Sequence, residues 1–144
     1  MAHEDTARLL RECNAGIKMG LDSIETVLPR CEDRALAGIL RHSIDEHKRL
    51  QAEAKSLLDG CHEPDREPSG IVKSMAHMKS GMKLFFMPGD RTVASLMTDG
   101  CHMGIKTVCK YKGDFPTASE AAKSLAEGLV AVVDEMARSL RPYL

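Results

Sequence analysis

Apolar residues recur at three- and four-residue intervals along almost the whole chain, the spacing of amphipathic helices. In a first segment, about residues 5–28, Leu10, Cys13, Ile17, Gly20, Ile24 and Val27 make one face, widened by Leu9, Leu21 and Leu28. Pro29 stops it, because proline lacks an amide hydrogen and clashes with the preceding turn. A second segment, about 32–59, carries Leu36, Leu40, Ser43, His47, Leu50, Ala54 and Leu57, with Gly60 as its C-terminal stop. After the loop "HEPDREPSG" at 62–70, Ser69 is placed to cap a helix whose stripe is Ile71, Met75, Met78, Met82 and Phe85. Pro88-Gly89 ends that helix. Asp90 reads as the cap of the next segment, which turns Val93, Met97, Cys101, Gly104 or Ile105, and Val108 inward and stops at Gly113. "TASE" at 117–120 reads as a capping box, Thr117 with Glu120. It opens a last segment with the stripe Leu125, Leu129, Val132, Met136 and Leu140. No stretch shows the two-residue period of a strand.

The four main segments pair up. "CNAGIK" at 13–18 and "CHMGIK" at 101–106 share Cys-x-x-Gly-Ile-Lys, 88 positions apart. Leu36-Ala37, Leu40, Ile44, Asp45-Glu46 and Arg49 match Leu125-Ala126, Leu129, Val133, Asp134-Glu135 and Arg138 at an offset of 89. The sequence thus predicts an all-α fold, a four-helix bundle of two duplicated helical hairpins with an extra crossover helix. A single domain spans 1–144, with hairpins at 5–60 and 90–142 and the crossover helix at 69–87. A link of about thirty residues between the hairpins is long enough to cross the bundle, so the helices it joins need not be antiparallel neighbours. Gly16, Gly20, Gly100 and Gly104 sit inside helices, where each costs ~1 kcal/mol against alanine. Close approach of the first and third main helices is the expected reason.

Composition narrows the partners. Net charge is −1 and aromatic residues make up 3% with no Trp, so neither a basic surface nor stacking platforms for nucleic acid are in view. Five cysteines at irregular spacing do not read as a disulfide framework, and the first ten residues do not read as a signal peptide. A cytoplasmic location with reduced thiols is the expectation. Residues 71–86 carry Lys73, Lys79 and Lys83 with no acids and a Met-rich face. That pattern suits a crossover helix laid on the bundle with its lysines in water, a protein partner's groove, or a membrane surface contacted along Ile71–Phe86.

Two duplicated hairpins with a long crossover, carrying the paired "CxxGIK" and "DExxR" stretches, resemble the ferritin-like bundles over most of the chain. In that superfamily's metal-binding members, Glu from two helices and Glu-x-x-His from the other two hold two metal ions. This sequence has no Glu-x-x-His. Its Asp99/His102 pair has the right i,i+3 spacing on one helix, but Arg11 and Asn14 stand at the matching positions of the first.

The residues leave several readings open. Cys13 and Cys101, equivalent in the repeat, are core filler, a soft-metal pair completed by His47 or His102, or a redox disulfide if the pseudo-twofold axis brings them together. His47 is a core histidine bonded to Ser43 or Glu46, or a ligand. Glu46 and Glu135 lie nearest the apolar stripe and are the carboxylates expected to turn inward if any do; the flanking Asp-Glu-x-x-Arg groups also read as surface ion pairs. His47, His102, Cys13, Cys101, Glu46 and Glu135 are therefore the metal candidates, for iron or zinc. No phosphate loop, nucleophile elbow or His-Glu-x-x-His appears. The expectation is a non-catalytic bundle acting by self-association, as a homo-oligomer, or by partner binding. The alternative is a ferritin-like metal-binding or thiol redox protein.

Overall fold

A computed structural model describes residues 2–61 and 88–144; the crossover helix expected at 69–87, and with it the surface Ile71–Phe86, lies outside the described residues. The described residues form four long helices and no strand: α1 (Ala2–Val27), α2 (Arg34–Asp59), α3 (Asp90–Asp114) and α4 (Glu120–Leu140). Short 3-10 turns follow α1 at Leu28–Arg30 and α4 at Arg141–Tyr143, each with a proline near its start.

The apolar stripes are the core. Leu10, Cys13, Ile17, Ile24 and Val27 of α1 are buried, as are Leu36, Leu40, Leu50 and Ala54 of α2 and all five predicted stripe positions of α4. On α3, Val93, Met97, Cys101 and Val108 are buried, while Gly104 and Ile105 sit half-exposed.

Helix ends are fixed by bonds that the sequence pattern did not predict. Asp33 caps α2, accepting from the Leu36 amide at 2.8 Å. Asp90, expected as a cap, is instead the first residue of α3, and its carboxylate accepts from the amides of Glu32 and Asp33 at 2.8 and 3.0 Å. The cap of α4 is Ser119, not Thr117, whose hydroxyl donates to Asp5 across the bundle. Gly60 closes α2 as expected, with φ −71°, whereas Gly113 lies inside α3 rather than beyond it.

These bonds set the directions of the helices. Asp90 against Glu32 and Asp33 places the starts of α2 and α3 at one end. Tyr143 donates to Asp33 at 3.1 Å, so α4 finishes there. At the other end the Ser119 amide donates to Thr6 at 2.8 Å, and the His3 ring lies 2.9 Å from the Cys61 carbonyl. The order is therefore up, down, down, up. α1 packs on α2, α3 and α4, and α4 packs on α2 and α3; the parallel pair α2 and α3 stands across the diagonal.

Candidate functional site

The seam between α2 and α4 opens into a groove of about 340 Å³. Small residues make it: Ala35 and Gly38 on α2 and Ser139 on α4 line the groove without filling it. A Cβ at Gly38 would meet nothing within 4 Å. Ile39, Val132 and Met136 supply an apolar floor. The polar lining includes His42, Glu46 and Glu135. Glu46 is bonded to Arg49 at 3.0 Å, and His42 Nε2 lies 3.6 Å from Glu135 Oε1. The two glutamates singled out by the repeat thus share a groove, but at the surface and not in the core: their side chains are 30% and 59% exposed.

His47 is held as a structural group. Its ring is buried, and Nδ1 donates to the Ser43 carbonyl at 2.7 Å. The other ring nitrogen points at α1: a Cβ built on Gly20 would lie 2.7 Å from Nε2. Burial outweighs that hydrogen bond and the nearby Glu46, and pushes the His47 pKa below the ordinary histidine value. The glycine expectation is corrected at the same place. Gly20 makes room for a side chain of α2, Gly16 faces Leu129 of α4 at 3.9 Å, and Gly100 and Gly104 face open space. None of the four serves contact between α1 and α3.

Cys13 and Cys101 do not meet. Glu12 of α1 lies near Lys110 and Tyr111 of α3, so the antiparallel pair sets Cys13 near the level of Cys109, and Cys101 near that of Leu21. Eight residues at ~1.5 Å each put the two thiols roughly 12 Å apart along the bundle, too far for one disulfide or one metal. Both are free and buried, and burial pushes each thiol up to about 12. A thiol so raised has almost no thiolate at neutral pH, which makes it a poor nucleophile.

His102 and Asp99 are exposed on the outer side of α3. Among the described residues, no three His, Cys, Asp or Glu side chains gather closely enough to hold a metal ion. His42, Glu46 and Glu135 line one groove without converging on a point. No family model, curated protein or solved structure matches the chain.

Two features were missed from the sequence. His42 and Gly38 stand one and two turns before Glu46, so i,i+4 spacing placed them on its face, but nothing in one helix says that α4 lies beside it. Glu12 sits at the α1–α3 seam with Oε2 buried and unbonded, and burial raises its pKa against the pull of Lys110.

Proposed function

We propose that this chain is a non-catalytic helical-bundle protein that acts by binding and works as a homo-oligomer. The observation that carries this reading is where the reactive groups lie. Cys13 and Cys101 are sealed in the core with thiols near 12, and His47 is locked between Ser43 and Gly20. Catalysis needs a nucleophile or base that substrate can reach, and these have no access. The titratable groups that remain accessible, His42, His102 and Cys109 among them, lie on the surface. Sedimentation velocity over a hundredfold range of protein concentration tests the oligomer. A sedimentation coefficient that rises with concentration, or stays at a dimer's value throughout, is the expected result; a monomer at every concentration refutes self-association.

We read the architecture as ferritin-like, built from two copies of one hairpin. The up, down, down, up order and the diagonal placement of α2 and α3 support the plan. Burial of both members in the pairs Leu36 and Leu125, Ala37 and Ala126, Leu40 and Leu129, and Cys13 and Cys101 supports the duplication. On this reading the pseudo-twofold axis passes between Ile17 and Ile105 on one side and Ile44 and Val133 on the other. The metal chemistry of the superfamily does not follow, because Cys13 and Ile17 take inward positions and the carboxylates nearest the stripe line the outer groove.

A further inference from the structure

We propose that the α2–α4 groove binds an aliphatic diamine: a short methylene chain with an ammonium group at each end. Three observations meet here. The groove, at about 340 Å³, is within the range of small-ligand sites. Its floor of Ile39, Val132 and Met136 is apolar, which suits methylenes and not a hydrated ion. Its charge is acidic and comes from both sides, Glu46 from α2 and Glu135 from α4.

The spacing of the two carboxylates selects two heads over one. The His42–Glu135 approach sets Glu135 level with His42 on the antiparallel partner helix. Glu46 is four residues further along α2, so the two glutamates are offset by roughly 6 Å along the helix axis. A chain of four methylenes between two ammonium groups spans a similar distance. The current partners do not block the exchange. Arg49 is 58% exposed, and exposed ion pairs of this kind are weak and replaceable. His42 lies 3.6 Å from Glu135, beyond a good hydrogen bond. Gly38 keeps the floor low, since any side chain there would project into the open space above it. The proposal stands apart from self-association, because its tests read the groove and not the oligomer.

The test is a titration of the full chain with 1,4-diaminobutane at low salt, followed by amide chemical shifts and calorimetry. Saturable one-site binding is expected, with shifts confined to about residues 35–46 and 132–139. Glu46→Gln and Glu135→Gln should each weaken binding about fivefold, the scale of one exposed ion pair. Butylamine, with one head, should bind as weakly as those variants. High salt should weaken the diamine further. Gly38→Leu, which fills the groove from a position with nothing to clash against, should abolish binding while the far-ultraviolet spectrum and melting curve stay native or improve. The proposal is overturned by the absence of saturation, by shifts centred elsewhere, by butylamine binding equally well, or by Gly38→Leu binding like the native chain.

Discussion

Gly20→Ala is the substitution in which two physical effects oppose each other and the structure says which wins. Replacing a helix-interior glycine by alanine ordinarily stabilises by ~1 kcal/mol, since glycine loses more backbone entropy on folding. At Gly20 the added carbon would lie 2.7 Å from His47 Nε2 and 2.9 Å from Cδ2, well inside contact distance. The ring has nowhere easy to go: it is buried, and its other nitrogen is bonded to the Ser43 carbonyl at 2.7 Å. Overpacking of this kind costs ~1–3 kcal/mol, and breaking the Ser43 bond to relieve it costs ~1 kcal/mol or more. The propensity gain is offset, and net destabilisation of ~1–2 kcal/mol is expected. Gly100→Ala is the internal control, because a Cβ there meets nothing within 4 Å and the propensity gain stands alone. The two variants should differ by ~2–3 kcal/mol, which in a chain of this size is ~4–12 °C in Tm. Urea denaturation followed by circular dichroism reads the difference. In a double-mutant cycle, Gly20→Ala should cost much less once His47 is Ala. If Gly20→Ala is as stable as Gly100→Ala, the close contact between His47 and α1 is wrong, and with it the helix register described here.

Other expectations follow from the same geometry. Burial lowers the His47 pKa, so between the ordinary value of ~6.5 and its lower folded value the unfolded chain binds a proton that the folded chain does not. Stability should therefore fall as pH drops below ~6.5, and His47→Met, which copies Met136 of the other hairpin, should flatten that slope in urea denaturation at stepped pH. Glu12 has the opposite sign: its raised pKa gives the folded state the extra proton just above the ordinary carboxyl range, so stability is lost as pH rises through that window. Glu12→Gln should remove this loss, seen as a relative gain at pH 7 over pH 4. In thiol titration of the native protein, exposed Cys109 should react first, while Cys13 and Cys101 react only at the rate of unfolding. Fast reaction of all five cysteines would contradict the burial. Asp33→Ala removes the cap of α2 and the acceptor of Tyr143, and should cost ~1–2 kcal/mol in the same denaturation assay.

The number of main helices, their approximate extents and their buried faces were legible in the sequence, because a 3.6-residue period records on each helix which side must leave water. The buried rows of α2 and α4 are the rows that the period picks out. The caps were legible only in part. Thr117 and Ser119 both have cap chemistry, and Ser119 takes the role because Thr117 is drawn to Asp5 on a helix more than a hundred residues away. Asp90 is likewise claimed by the amides of Glu32 and Asp33. Periodicity names a face but not its neighbour. The bundle decided that Gly20 faces a histidine of α2 and not α3. Antiparallel register decided that the repeated cysteines stand roughly 12 Å apart along the bundle. And Glu46 and Glu135, on the border of their stripes, became walls of one surface groove because α2 and α4 meet there, a contact made between segments that no local pattern links.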